Sequence, residues 1–144
     1  MNIEYMTIDD FEQIKDNLIE EFDDFWSQSM LKNDIEKDNS KYVVAKENDE
    51  IVGFGGIWIL PDDVQISNIV VKKNKRKKGI GSLLLDRLIE IAKDTKKDSI
   101  SLEVNEKNTD AINLYEKNEF EILGQRKNYY NGKDNAIIMT KYFK

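Results

Sequence analysis

One segment in the middle of the chain constrains the fold most, because a strand-like run passes through a basic loop straight into a helix. Residues 69–82 have the sequence Ile-Val-Val-Lys-Lys-Asn-Lys-Arg-Lys-Lys-Gly-Ile-Gly-Ser. Apolar residues then recur at helical spacing as far as Asp94, so a helix is predicted to begin at Gly79-Ile80-Gly81. The free N–H groups and positive dipole end of such a helix favour an anion, for example a phosphate.

The residues of this loop narrow the choice of ligand. Its glycines let a phosphate approach the backbone closely, and Arg76, Lys77 and Lys78 add positive charge. The segment has neither the Gly-x4-Gly-Lys-Ser/Thr spacing of an ATP-binding loop nor the third glycine of a dinucleotide-binding loop. We therefore favour a pyrophosphate on some other carrier. The alternatives are a solvated basic turn and a nucleic-acid patch.

Two missing residue types restrict the chemistry that this chain can perform. The 144 residues include no cysteine and no histidine. Disulfides, thiolate zinc sites, cysteine nucleophiles and histidine bases are therefore excluded. Any proton transfer must use Asp, Glu, Lys or Tyr. We expect no metal, because a hard ion would need oxygen ligands and the sequence has no EF-hand spacing.

The charge and hydropathy of the chain bear on its partners and its location. The formal net charge is −6, which disfavours general nucleic-acid binding and suits a basic peptide or an amine. No apolar run approaches the ~20 residues of a membrane span, and Met1 to Asp10 do not resemble a signal peptide. We expect a cytoplasmic protein without membrane contact, in which residues 1–144 form a single domain.

Hydrophobic periodicity predicts the remaining elements. Helices are predicted near 8–22, after Ser27, over 79–94 and after a cap at Asn108 or Thr109; strands are predicted near 42–46, 51–60, 64–72, 100–104, 120–127 and 135–142. The order α-α-β-β-β-α-β-α-β-β indicates an α/β fold with mixed strand directions. The alternation of the third strand slips at 68–71, which indicates a bulge or a strand buried on both faces.

At this point the chain resembles the GNAT acetyltransferase superfamily. The run Arg76 to Gly81 is similar to the Arg/Gln-x-x-Gly-x-Gly/Ala loop by which that family grips the pyrophosphate of acetyl-CoA. The resemblance implies a GNAT fold, with a mixed, mostly antiparallel central sheet flanked by helices and pantetheine lying between two splayed central strands. The acetyl-CoA-binding residues that it implies are Ile69, Val70, Val71, Arg76, Lys77, Lys78, Gly79, Ile80, Gly81, Ser82 and Asn108.

Further motifs resemble one group within that superfamily, the ribosomal-protein-alanine N-acetyltransferases of the RimI type. In chain order they are Phe25-Trp26-Ser27, Asn68-Ile69-x-Val71, Leu102-Glu103-Val104, Asn108-x-x-Ala111-x-x-Leu114-Tyr115, Arg126-x-x-Tyr129-Tyr130 and Asp134-x-Ala136-x-x-Met139. The resemblance covers nearly the whole chain. It implies transfer of an acetyl group to a primary amine, in particular the N-terminal α-amino group of a ribosomal protein.

The resemblance also implies roles for four side chains, each of which has a simpler structural alternative. Glu103 falls at the position of the general base, although it could merely alternate outward on a strand. Tyr115 falls at the position of the general acid, although it could be a buried helix residue. Tyr129 and Tyr130 would help to wall the peptide site, although they could be simple turn flanks. Asn108 could be an ordinary helix cap rather than a cofactor contact.

The chain departs from the family pattern at two places. Lys77 replaces the usual arginine, which keeps the charge and loses the planar fork. Asn118-Glu119 replaces the usual Leu-Gly, so we expect Asn118 to end its helix in the left-handed region.

Three other functions remain open from the sequence. They are a GNAT enzyme for a small amine or polyamine, a non-catalytic acyl-CoA-sensing module, and a nucleic-acid-binding protein that uses residues 72–78. The presence of both Glu103 and Tyr115 counts against the sensing module, and the overall acidity of the chain counts against nucleic acid.

Overall fold

The structure, a computed structural model, describes residues 1–23 and 26–143. Its strands are β1 Asn2–Tyr5, β2 Ser40–Glu47, β3 Glu50–Ile59, β4 Val64–Val71, β5 Ser99–Asn105, β6 Glu121–Tyr130 and β7 Asp134–Tyr142; its α-helices are α1 Ile8–Ile14, α2 Gln28–Ile35, α3 Ile80–Asp94 and α4 Thr109–Lys117. The strands form one sheet in the order β1-β2-β3-β4-β5-β7-β6. The predicted α/β fold, a mostly antiparallel mixed sheet flanked by helices, is confirmed. None of the helices in the described residues is long and apolar enough to cross a membrane.

The two faces of the sheet carry separate apolar cores. On one face α3 buries Leu84, Leu85 and Leu88 completely, and each such leucine stabilises the fold by roughly 2 kcal/mol. A methyl group added at Gly53 would lie 3.1 Å from Leu84 Cδ1, so glycine lets α3 pack closely on β3. The other face is covered by α1, α2 and the turns between them, whose apolar residues pack on β2, β3 and Val70.

The sheet opens between β4 and β5, its parallel pair. Val64 faces Ile100 and Gln65 faces Ser101, and no further residue pairs join the two strands in the described part of the chain. The edge of β4 from Ile69 to Val71 is thus left without a strand partner on that side. The predicted splay of the central strands is confirmed.

A bulge in β4 lies just before this open edge. Gly56 faces Asn68 and Ile57 faces Ile66, so Ser67 is an extra residue in β4. This extra residue explains why the apolar alternation slips at 68–71, because it moves the later side chains of β4 to the opposite face of the sheet.

A buried polar network holds the bulge in place. The Tyr42 hydroxyl donates to an oxygen of Asp34 and accepts a hydrogen bond from Asn68 Nδ2 at 3.0 Å. The indole of Trp58 donates to the other oxygen of Asp34 at 2.7 Å. Burial, and then the Asp34 carboxylate, raise the pKa of Tyr42 well above its usual range, so the hydroxyl stays protonated. Because Asp34 is 2% exposed, these donors are what makes its burial tolerable.

Near the N-terminus the predicted elements need two corrections. The cap at Thr7 is as predicted, since Thr7 and Asp10 each accept a hydrogen bond from the other's backbone N–H. The predicted helix 8–22, however, is an α-helix only to Ile14 and continues as a 3-10 turn, Lys15–Asn17, and a π-helical turn, Leu18–Phe22. Strand β1 was not predicted, because its four residues are mostly exposed and lack a clear apolar alternation.

Two boundaries near the C-terminus also differ from the prediction. The left-handed residue after α4 is Glu119, at φ 70°, whereas Asn118 keeps a negative φ. The N–H of Phe120 bonds to the carbonyl oxygen of Tyr115 at 3.0 Å, which closes the helix end and fixes Glu119 in this conformation. Strand β6 extends through Tyr129 and Tyr130, which were predicted to lie in the connection to β7.

Candidate active site

A cavity of about 550 Å³ lies beside the open edge of β4. Its walls are the end of β4, the basic loop, the first turn of α3 and one side of α4. Eleven of the predicted site residues line it: Ile69, Val70, Val71, Arg76, Lys77, Gly79, Ile80, Gly81, Ser82, Asn108 and Tyr115. The structure thus brings these predicted residues together from one strand, two helices and the basic loop. Lys78, Glu103, Tyr129 and Tyr130 lie outside this lining.

The prediction missed five lining residues, Asp23, Lys75, Asp110, Ala111 and Leu114. Ala111 and Leu114 follow Asn108 at helical spacing on the side that contains Tyr115, so the periodicity of α4 could have found them. Nothing local in the sequence singles out Asp23, which precedes the basic loop by about fifty residues.

One end of the cavity is suited to a phosphate group. Gly79 precedes α3 with φ 86°, and Lys77 also has a left-handed φ of 63°. Within the described residues no side chain caps α3, so its first N–H groups remain free for an anion. Lys77 lines this end and forms no ion pair with any described residue.

The other basic residues of the loop are largely engaged by the protein itself. Arg76 donates from Nε to the carbonyl oxygen of Val71 at 2.9 Å and from Nη2 to that of Phe22 at 2.7 Å. Lys75 pairs with Glu47 at 2.8 Å. Arg76 therefore ties the loop to the end of β4 and to the π-helical turn, and it presents less of its guanidinium to a ligand than the sequence alone suggests.

At the opposite wall, α4 contributes Asn108 and Tyr115. The Asn108 side chain accepts a hydrogen bond from the Ala111 N–H at 3.2 Å, so Asn108 is the cap of α4 that the sequence allowed as an alternative. Asn108 also lines the cavity. Tyr115 is 7% exposed and packs edge-on against Phe120, with 5.5 Å between the ring centroids. Burial raises the pKa of Tyr115 well above its usual range. Its hydroxyl is therefore protonated at neutral pH, as a proton donor must be.

Glu103 and the two tyrosines form a second group, outside the cavity. Arg126 Nε forms an ion pair with Glu103 Oε2 at 2.5 Å. The Arg126 guanidinium lies 5.6 Å from the centroid of the Tyr129 ring, and the Tyr129 and Tyr130 rings contact edge-on at 5.1 Å. Burial, then the charge of Glu103, raise the pKa of Tyr130. Arg126 was noted in the sequence as part of a motif, but its contact with Glu103 was not predicted.

Tyr115, in the cavity lining, and Glu103, in this second group, lie on opposite faces of the sheet. Leu102 and Val104, the neighbours of Glu103 on β5, belong to the core on the α3 face, as does Tyr115. Because side chains alternate along a strand, Glu103 projects from the face of α1 and α2. Glu103 thus lies on a strand that borders the gap between β4 and β5, and Tyr115 lines the cavity at that gap from the other face of the sheet.

Another hollow, of about 730 Å³, lies among the end of α4, β6 and β7. Its lining includes Glu116, Glu119 and Glu121 against a single lysine, Lys141. This charge is unsuited to a phosphate, so we place the ligand site in the cavity beside β4.

Phe25, which belongs to one of the motifs noted in the sequence, lies outside the described residues.

Known proteins provide an independent comparison. The family model described as Acetyltransferase (GNAT) family matches residues 11–120. The chain belongs to the GNAT acetyltransferase family. It is accordingly an acetyl-CoA-dependent N-acetyltransferase, and the predicted GNAT fold and activity are confirmed.

Individual members of the family are similar to it over most of their length. A ribosomal protein bS18-alanine N-acetyltransferase of Haemophilus influenzae is 36% identical over 123 residues, which cover 81% of this chain and 82% of that protein. A Bacillus subtilis protein is 33% identical over 137 residues, with 93% and 90% coverage. The crystal structure of the Escherichia coli ribosomal-protein-S18-alanine N-acetyltransferase superposes with a TM-score of 0.87 at 25% identity, covering 98% of this chain and 92% of that one.

Proposed function

We propose that this enzyme acetylates the N-terminal α-amino group of a ribosomal protein by direct attack on acetyl-CoA. The observation that carries the proposal is that Glu103 and Tyr115 lie on opposite faces of the splayed sheet, on elements that border the gap or the cavity beside β4. In that arrangement an amine can approach from one face while the thiolate departs toward the other.

On the acceptor face, Glu103 removes a proton from the incoming amine. An α-amino group has a pKa of ~8 and is mostly protonated at neutral pH, so it needs a base before it can attack. One carboxylate oxygen of Glu103 is held by Arg126, and the other has no hydrogen-bond partner among the described residues. The second oxygen is thus the one available to the amine, directly or through water.

On the cofactor face, Tyr115 gives its proton to the departing sulfur. Its phenol is protonated at neutral pH and has no hydrogen-bond partner within residues 1–23 and 26–143, so the proton is not committed elsewhere. A two-step route through an acyl-cysteine is impossible, because the chain has no cysteine.

The cavity fits acetyl-CoA at both of its ends. The free N–H groups at the start of α3 and the Lys77 ammonium would hold the pyrophosphate. The open edge of β4 from Ile69 to Val71 would pair with the pantetheine arm as a strand does. When bound there, acetyl-CoA supplies a thioester whose carbonyl the β4 backbone N–H groups can polarise. Solved relatives of the same fold are described in complex with acetyl-CoA or coenzyme A.

The acceptor is proposed from the relatives together with the exposed aromatic residues beside Glu103. The H. influenzae and E. coli relatives are named for acetylation of an alanine of ribosomal protein bS18. In this chain Tyr129, 52% exposed, and Tyr130 stand next to the proposed base and can wall a peptide. A ribosomal acceptor would also place the enzyme in the cytoplasm.

The test is acetyl-CoA turnover, followed by release of free thiol, on a peptide that copies the Ala-initiated N-terminus of a ribosomal protein. Glu103→Gln should lower turnover roughly 10²–10⁴-fold, because the base is lost while the shape is kept. Glu90→Gln is the matched control, since Glu90 also pairs with an arginine, Arg87, at 3.1 Å but lies on α3. That variant should keep wild-type turnover.

Other outcomes would identify the alternatives. Turnover on small amines or polyamines in preference to the peptide would indicate a small-molecule enzyme. Tight acetyl-CoA binding without turnover on the peptide or on any amine of a panel would overturn the proposal in favour of a sensing module.

A further inference from the structure

Arg126 is an exposed cation held beside the proposed base. Its Nε forms an ion pair with Glu103 Oε2, yet the Arg126 side chain remains 60% exposed while that of Glu103 is 21% exposed. The guanidinium also lies over the Tyr129 ring. The N–H donors on Nη1 and Nη2 have no partner within the described residues. The Arg126 guanidinium is therefore positioned by two contacts with the protein, and its Nη1 and Nη2 N–H groups remain available to a ligand.

The register of the C-terminal hairpin explains how Arg126 reaches Glu103. Arg126 faces Ala136 on β7, and Glu103 faces Ile138 on the other side of the same strand. The arginine side chain therefore crosses β7 diagonally, above the small Ala136. A bulge follows at once, because Tyr130 faces Asp134 and leaves extra residues in β6 after Arg126. The bulge carries Tyr129 to a position where its ring contacts the guanidinium.

A guanidinium at this place affects which amines can bind. It repels a cationic acceptor unless that acceptor also brings an oxygen for the free N–H donors. A peptide N-terminus has such an oxygen, because the carbonyl of the first residue is attached to the carbon that bears the amine. A lysine side chain or a polyamine instead presents methylene groups at that distance, and a polyamine adds a second positive charge.

We propose that Arg126 binds the carbonyl oxygen of the acceptor's first residue and so selects peptide α-amines over side-chain amines and polyamines. In this arrangement the free oxygen of Glu103 takes the amine while Nη1 or Nη2 of Arg126 takes the carbonyl. The inference rests on the proposed function, and it adds to it a residue that determines acceptor specificity.

The experiment compares two acceptors that differ in their first amide alone. One is the Ala-initiated peptide, and the other is the same peptide with its first amide replaced by a trans-alkene, which keeps the amine and the shape. The wild-type enzyme should have a kcat/KM roughly 10- to 100-fold higher for the natural peptide, as expected for one charge-assisted hydrogen bond. Any difference in amine basicity between the acceptors cancels when the same ratio is taken for each variant.

Variants of Arg126 should remove this preference. Arg126→Met should lower this ratio roughly 10- to 100-fold relative to wild type, because kcat/KM falls much more for the natural peptide than for the alkene. Arg126→Lys keeps a charge beside Glu103 without the fork, so its ratio should be intermediate. Arg87→Met is the matched control, since Arg87 also pairs with a glutamate and lies 5.5 Å from a tyrosine ring, that of Tyr5. It should keep the wild-type ratio.

Equal losses on both acceptors in Arg126→Met, or a wild-type ratio near one, would overturn the role of Arg126 and leave the proposed function standing. Absence of wild-type turnover on either acceptor, with acetyl-CoA bound, would overturn the proposed function itself and this inference with it. The acetyl-CoA dissociation constant reports on folding, because Arg126 does not line the cofactor cavity. If Arg126→Met does not fold, the lysine variant and the wild-type ratio still decide the question.

Discussion

The proposed cofactor cavity and the proposed acceptor face are built from different kinds of group. The cavity relies on backbone: a left-handed glycine, the uncapped start of α3 and the open edge of β4. The proposed acceptor face relies on side chains of β5 and β6, chiefly Glu103, Arg126 and Tyr129, and β6 is an edge strand of the sheet. A change of acceptor can therefore come from a few exposed side chains, whereas a change of cofactor would require a different backbone.

The largest expected effect after that of Glu103→Gln tests whether a side chain of the cavity also acts in catalysis. Tyr115→Phe should lower turnover roughly 10²-fold, because the departing sulfur loses its proton donor. The acetyl-CoA dissociation constant should change little, since the ring and its packing against Phe120 remain. Tyr142→Phe, at an exposed tyrosine, is the control for loss of a phenol. Wild-type turnover in Tyr115→Phe would assign Tyr115 a purely structural role.

A second prediction concerns the network beneath the bulge, on which both regions depend. Tyr42→Phe should lower the free energy of unfolding by about 2 kcal/mol, because one buried oxygen of Asp34 loses its donor. Urea denaturation measures this change, with Tyr5→Phe as the exposed control. Acetyl-CoA affinity and peptide turnover should both decline if the bulge moves. An unchanged free energy of unfolding would contradict the importance of the network.

Alanine substitutions at the two glycines of the loop distinguish a requirement for the left-handed backbone from a requirement for space beside the backbone. Gly79→Ala should weaken acetyl-CoA binding about tenfold, because an alanine at φ 86° is strained by ~1–2 kcal/mol. Gly81→Ala should bind normally, since its methyl group would lie 3.6 Å from Leu114 Cδ2, an ordinary contact. Calorimetric titration of both variants is the measurement. Equal losses in the two variants would indicate that space, and not the left-handed backbone, matters in this loop.

The smallest expected effect lies outside both regions. Glu119→Gly should raise the free energy of unfolding by about 1 kcal/mol, because glycine adopts the left-handed conformation after α4 without strain. The lost contact with Lys141 is exposed and worth little. Turnover should not change. Asn118→Gly is the contrasting variant, because Asn118 has a negative φ and its amide bonds to the carbonyl of Leu114 at 2.9 Å, so glycine there should destabilise.

Features that depend on neighbouring residues were predictable from the sequence. The amphipathic α3 and its glycine-rich start follow from local spacing, and so does the slip in β4 that proves to be a bulge at Ser67. The capping box of Thr7 and Asp10 likewise needs a separation of just three residues. In each case the physical cause lies within one or two turns of the chain.

Features that depend on pairing between distant segments were not predictable. Arg76 bonds to the carbonyl of Phe22, which is 54 residues away, so its partial withdrawal from the cavity cannot be deduced from the loop. The ion pair of Arg126 and Glu103 requires the registers of β5, β6 and β7 together. The end of α4 was misplaced by one residue, because the hydrogen bond of Phe120 decides which residue turns left-handed, and the preference of asparagine does not.

The open edge between β4 and β5 also has a consequence for hydrogen exchange. The amides of Ile69–Val71 that face the gap have no strand partner in the described residues, so they should exchange with solvent quickly in the free protein. Acetyl-CoA, bound there as an additional strand, would protect them for as long as it stays. The exchange rate of this short segment would then record the residence time of the cofactor, independently of whether any acceptor is present.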